Sequence, residues 1–355
     1  MRYHPSMPAV SKSAQARVAK GYRWESLDDA ELMGIRMCRL GVRLRDSLAW
    51  KDIERLYEEL ERRQIRFRPH CWLSSEWFSP DGIPGIAVPF FVTHPRLRRL
   101  EHRLMGEVEG GNSQWRLRIL RHEAGHAIDT AYGLRRRADW RAVFGYASKP
   151  YPKIYSVRPG SERYVLHLGH WYAQSHPTED FAETFAVWLQ PKARWRREYA
   201  GWPALEKLEF VDELMAEIAG RQARVRDRSV VAPLSELTET LEKHYHRKQQ
   251  AYSPSRLRYD DWLTRTFSKR SLRPRGVPAG RFIREIAPRL HRSLIRHLAV
   301  NPYLADHVIE SLRQRSRTLD LVLRASRKQS LRPVLSLHER VAFDVLRRNR
   351  ENYLL

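Results

Sequence analysis

Leu120-Arg121-His122-Glu123-Ala124-Gly125-His126-Ala127-Ile128-Asp129 decides how the rest of the chain is read, because it carries H-E-x-x-H within apolar residues at helical spacing. On a helix turning about 100° per residue, positions 122 and 126 lie about 40° apart, so both imidazoles can reach one ion. Glu123 falls to one side of that pair, where it can hydrogen-bond a water held on the ion more easily than it can ligate the ion itself. That is the geometry of zinc hydrolysis: the ion lowers the pKa of bound water towards ~7 and the carboxylate takes its proton. Leu117, Leu120, Ala124, Ala127, Ile128 and Ala131 form the other side, which predicts a helix buried at its back and polar at its front. Asn112 or Ser113 can cap its start, and Gly133 can stop it.

H-E-x-x-H has few fixed letters, so a second feature is required. A metzincin would continue with Gly at 129 and His at 132; Asp129 and Tyr132 exclude that class. Further on, His176-Pro177-Thr178-Glu179-Asp180-Phe181-Ala182-Glu183-Thr184-Phe185-Ala186-Val187-Trp188-Leu189 predicts another helix. Pro177 suits its first position, and Glu179 and Asp180 suit the first turn, where the helix dipole favours negative charge. Glu179 and Glu183 share a face, with Phe181, Phe185, Trp188 and Leu189 towards the other. Two carboxylates on a largely apolar helix are costly to bury alone, and a Zn²⁺ ion with its histidines would offset that cost.

Together, His122-Glu123-x-x-His126 and Glu179-Asp180-x-Ala182-Glu183 resemble the gluzincin arrangement, in which a downstream helix supplies a glutamate ligand. More closely, the run from His176 to Ala186 is similar to that of a bacterial group of zinc-binding metallopeptidases. The likeness covers roughly residues 70 to 190, and its strong part is the two helices. It implies a zincin-like domain, Zn²⁺ as cofactor and hydrolysis of peptide or isopeptide bonds. Glu179 then matches the glutamate ligand beside His122 and His126. Glu183 matches the acid that holds a zinc histidine by its second ring nitrogen, with Glu183 as the ligand itself the alternative. The resemblance also suggests that residues 86 to 92 are an edge strand pairing with extended substrate, a place that Pro89 suits.

Between the two helices, residues 146 to 175 are rich in Tyr, Lys, Pro and His and read as a roof over the cleft. An oxyanion-stabilising donor is expected there; His167, His170 and Tyr172 are the candidates, Tyr172 preferred. Asp129 lies three residues past His126 on nearly the same stripe, and is read either as holding a ligand or substrate group or as an exposed helix acid.

With 355 residues and 42% hydrophobic content, the chain has room for two domains and a core that needs no metal to form. No apolar run approaches the ~20 residues of a membrane span, and the first residues lack a signal peptide's apolar centre, so a cytoplasmic protein is expected. Cys38 and Cys71 lack the spacing of a disulfide scaffold or a thiolate zinc site. The net charge of +24 comes from 65 basic and 41 acidic residues. Residues 229–355 carry 26 of the basic and 12 of the acidic groups, or +14. Nucleic acid or an acidic polymer is therefore a candidate partner of the Arg-rich C-terminal region, although no helix-turn-helix or finger spacing accompanies the charge.

The expected organisation is α+β. A basic start (1–25) precedes a zincin-like metallopeptidase domain (26–228) with a small mixed sheet and two metal-bearing helices, and an α-helical basic domain follows (229–355). Residues 67–92 are expected to form two strands joined at Ser79-Pro80-Asp81-Gly82. The expected activity is that of a zinc peptidase acting on peptide or protein. One rival is a basic nucleic-acid-binding or assembly protein with a structural or vestigial metal site, and another is a peptidase directed to nucleic-acid-bound or acidic substrates.

Overall fold

A computed structural model describes residues 22–105, 108–150, 154–156, 158, 160–168, 171–252, 259–298, 302–348 and 352–354. Most of the expected basic start, residues 1–21, lies outside them. In chain order, α1 (Asp29–Met33) and α2 (Leu48–Arg62) lead to strands β1 (His70–Ser74) and β2 (Gly85–Pro89). Then come α3 (Pro95–Met105), α4 (Ser113–Tyr132), α5 (Ala138–Phe144), β3 (Ile154–Ser156) and α6 (Pro177–Leu189). These are followed by α7 (Trp195–Glu198), α8 (Ala204–Ile218) and α9 (Leu241–Tyr252). The last part holds α10 (Asp260–Thr266), β4 (Phe267–Lys269), α11 (Ala279–Leu298), α12 (Pro302–Thr318), β5 (Leu321–Leu323), α13 (Arg327–Arg348) and β6 (Asn352–Leu354). The fold is mixed and helix-rich, and each sheet among the described residues is a pair of short strands.

Helix α4 is the axis of the first core, and its ends follow local rules. Asn112 caps it by accepting from the Trp115 N–H at 2.9 Å, and Gly133 ends it at φ 68°, a left-handed turn that glycine adopts without strain. The expected polar front is different in kind. Arg116, Arg121, His122, Glu123 and Asp129 are all buried, so α4 is mostly enclosed, with Gln114 and Arg118 left exposed. Its charges are tolerated because neighbours pair them. On α2, Asp52 takes the Arg116 Nε–H at 2.7 Å, and Glu59 takes two N–H groups of Arg121, each at 2.7 Å. Removing one partner of such a buried pair costs about 3–5 kcal/mol, so these pairs fix the register of α2 on α4.

Helix α6 lies against α4 at very short range. A Cβ on Gly125 would stand 2.8 Å from the Ala182 Cα and 3.2 Å from the Ala182 carbonyl oxygen. Both are backbone atoms, so nothing flexible can move aside. Gly125→Ala would gain about 1 kcal/mol of helix propensity and lose about 1–3 kcal/mol to overpacking. The expected outcome is a lower urea midpoint together with weaker metal retention; a stability equal to or above that of the parent would show that the helices do not need this contact.

Two sheet expectations are corrected. β1 and β2 pair in parallel, with His70 opposite Gly85 and Ser74 opposite Pro89, so the turn expected at Ser79-Pro80-Asp81-Gly82 does not join them directly. The connection loops back so that Phe78 meets Ala87 from the far side, the Ala87 N–H donating to the Phe78 carbonyl at 2.8 Å. All five β2 residues are buried, and the chain then turns into the short 3-10 helix Phe90–Thr93. Residues 86–92 therefore offer no free edge at Ala87 for the substrate pairing expected of them.

Two cores are present among the described residues. The first contains Leu234, Leu241 and Tyr245, so the boundary expected at 228/229 falls inside it. The second gathers α10 to α13 with β4 and β5, and takes in Trp171 from the segment before α6. No helix among the described residues is long and apolar enough to cross a membrane.

Candidate metal centre

The one-turn spacing on α4 does what the sequence predicts: the Nε2 atoms of His122 and His126 stand 3.2 Å apart. From α6, the Glu179 Oε2 lies 3.0 Å from the first and 3.1 Å from the second. Helix α6 begins as its sequence requires, with Pro177 in the first turn and the His176 ring accepting from the Thr178 N–H. That start places Glu179 one turn before Ala182, where α6 touches Gly125 between the two histidines.

The three atoms form a nearly equilateral set. Ligands about 2.0–2.1 Å from a tetrahedral ion lie about 3.3 Å from one another, so the observed spacing is right to within a few tenths of an ångström. Proton bookkeeping is compatible with such an ion. The His122 Nδ1 sits 2.8 Å from the Glu183 Oε1; a carboxylate only accepts, so the ring donates there and its neutral form turns a lone pair from Nε2 towards Glu179. Lone pairs crowded at about 3 Å repel unless a proton or metal cation stands among them. Two imidazoles and a carboxylate are the donor set of gluzincin-type zinc sites. Among the described residues, His122, His126 and Glu179 are also the group of side chains placed to hold a metal ion together.

Electrostatics tie the group together. Burial works against a charged His122, but the Glu179 and Glu183 carboxylates outweigh it and hold its pKa well above the ordinary histidine range. Burial likewise pushes Glu179 up, and the two histidines more than reverse this, leaving it well below the usual carboxylate range. Glu183 is held low too: burial raises it, and His122 and the Leu168 N–H, which donates to its other oxygen at 2.8 Å, lower it. Side-chain exposure is 3% for His122 and 5% for Glu179 but 12% for His126, so access to the group is on the His126 side.

Comparison of the chain with protein-family models, curated proteins and solved structures finds no match. The reading of the site rests on its own geometry.

Glu123 is buried beside the histidines, its carboxyl pushed up chiefly by burial, and it makes no hydrogen bond to any described residue. The Tyr172 ring centroid is 5.5 Å from that of His122, tilted by 52°, so its ring lies beside the site. Its neighbour Trp171 is held at φ 52°, a strained backbone for a bulky residue, and is buried in the second core. His167 is turned elsewhere: its Nε2 meets the Arg118 carbonyl at 2.9 Å, and burial lowers its pKa to about 4. His170 lies outside the described residues.

Asp129 is corrected. It is fully buried and accepts from both the backbone N–H and the Nε–H of Arg135, at 2.7 and 2.6 Å. It ties down the turn after α4 and is neither an exposed acid nor the holder of a histidine. The partners that sequence reasoning missed come from other segments of the chain. Lys207 pairs with Asp180 at 2.6 Å, although burial still pushes that acid up to about 7, and the Leu168 N–H steadies Glu183. Gly125 carried a readable signal: a glycine inside a helix costs about 1 kcal/mol and calls for a packing reason.

Proposed function

We infer that the protein is a zinc-dependent peptidase of gluzincin type, with a zincin-like body around α4 and α6. The observation that carries this reading is the convergence of the His122 and His126 Nε2 atoms and the Glu179 Oε2 within 3.0–3.2 Å of one another, with an unengaged Glu123 alongside. His122, His126 and Glu179 would hold the metal, and Glu183 keeps His122 in the tautomer that presents Nε2. When bound, a zinc ion supplies Lewis acidity towards a substrate carbonyl and an acidified water. Glu123 would take a proton from the attacking water and give it to the leaving amine, a role suited to a carboxylate whose burial has raised its proton affinity. Tyr172, whose ring lies 5.5 Å from that of His122, is the proposed donor to the developing oxyanion.

The test is digestion of a mixed peptide library by zinc-loaded protein, read by mass spectrometry. Cleavage that stops with phenanthroline and returns with added Zn²⁺ is expected. A fully loaded protein that cuts nothing would contradict the peptidase reading and favour a structural metal site.

A further inference from the structure

Two arginine-rich segments more than 150 residues apart in sequence meet on the surface near the C-terminal end of α4. The first, Arg62-Arg63-Gln64-Ile65-Arg66-Phe67-Arg68, leaves α2; the second, Arg221-Gln222-Ala223-Arg224-Val225-Arg226-Asp227-Arg228, follows α8. The backbone joins them. The Gly220 N–H donates to the Gln64 carbonyl at 2.9 Å, and the N–H groups of Arg224 and Val225 both reach the Ala131 carbonyl, at 2.9 and 3.0 Å. Two clefts of about 450 and 460 Å³ lie side by side along this junction and share Arg66 and Arg68 in their walls, and are taken together as one groove.

The groove is built for anions. Arg66, Arg68, Arg226 and Arg228 line it with exposed side chains. Arg66 and Arg228 have no carboxylate partner among the described residues. The acids present are engaged: Asp227 takes the N–H and hydroxyl of Ser229 at 2.8 and 2.6 Å, and Glu61 meets Arg68 at 3.2 Å. The four lining arginines outnumber the two acids, Glu61 and Asp227, and a bound polyanion would offset the remaining repulsion among them. A lining this exposed does not enclose a small ligand, which favours a polymer laid along it. The half-buried ring of Phe67 in the same wall adds a stacking surface, and spaced arginines with an aromatic are the pattern of single-strand binders.

We propose that this groove binds single-stranded nucleic acid through its phosphodiester backbone. The site belongs to the N-terminal body rather than the Arg-rich C-terminal region, and the proposal does not depend on the metal centre being catalytic.

Fluorescence anisotropy of a labelled oligo-dT of about 16 nucleotides, a single-strand site size, tests it on the intact chain. The double variant Arg66→Glu/Arg228→Glu should weaken binding at least ~10-fold. It should also flatten the log–log salt dependence by about 1.4, since each phosphate contact on a single strand contributes about 0.7. Arg284→Glu/Arg289→Glu, an equal charge change on exposed positions of α11, should have a much smaller effect. All four positions are exposed, so the variants should fold, and circular dichroism checks this. Absence of oligo-dT binding at low salt would overturn the proposal, as would equal losses in the two variants. Oligoglutamate of matched charge competing as well as oligo-dT would replace the nucleic acid with an acidic protein partner and so overturn it too.

Discussion

Glu123→Gln is expected to slow peptide hydrolysis by about 10²–10⁴-fold, the usual contribution of a positioned acid–base group, while metal content stays that of the parent protein. The substitution keeps shape and burial and removes the ability to take a proton. Glu123 holds no described residue by hydrogen bond, so its loss breaks no structural contact, and the three converging atoms belong to other side chains. The measurement is kcat/KM on a cleaved peptide together with metal by mass spectrometry. Activity retained within about threefold, far short of the acid–base contribution, would remove Glu123 from the reaction. Metal lost alongside activity would make it a ligand instead.

Removing a donor should have the complementary signature. Glu179→Ala takes away the oxygen that both Nε2 atoms face at 3.0 and 3.1 Å, and His122→Ala takes away one of those nitrogens. Both variants are expected to lose bound zinc during dialysis at concentrations where the parent keeps it, and to lose all hydrolysis with it. Glu183→Gln should be milder, weakening zinc by about 10–100-fold, because it alters only the support behind His122. Acid should act in the same direction. The pKa of His122 in the metal-free protein is held above the ordinary histidine range, so protons already compete for its ring near neutrality, and zinc affinity should fall further as pH drops. Zinc titrations of the three variants across pH check this. Full occupancy in both Glu179→Ala and His122→Ala would end the assignment.

Local chemistry made part of this site readable in the sequence. The caps at Asn112 and Gly133 and the first-turn Pro177 obey nearest-neighbour rules, and the His122, His126 and Glu179 arrangement follows from helical periodicity once two helices are assumed to face each other. The failures have a common physical origin in contacts made outside each element, which its own periodicity does not show. Pro80-Asp81-Gly82 signalled a turn correctly but not what the turn joined. A parallel pair usually needs a crossover of a dozen or more residues, whereas here the short connection folds back far enough for Phe78 to bridge Ala87. Asp129 looked like a site residue because it shares a stripe with His126, but the partner that claims it, Arg135, comes from the turn beyond the helix. The enclosure of α4 was hidden for the same reason. Its charged front reads as solvent-facing until Asp52 and Glu59 of α2 arrive to pair it.

The central claim concerns one cation and three side chains, and zinc K-edge X-ray absorption on the purified, zinc-loaded protein addresses it most directly. The expected spectrum shows one zinc per chain with two imidazole nitrogens, one carboxylate oxygen and one further light-atom ligand at about 2.0–2.1 Å, and it changes when His126 is replaced by Ala. A spectrum free of imidazole scattering, or one left unchanged by that substitution, would contradict the site described above.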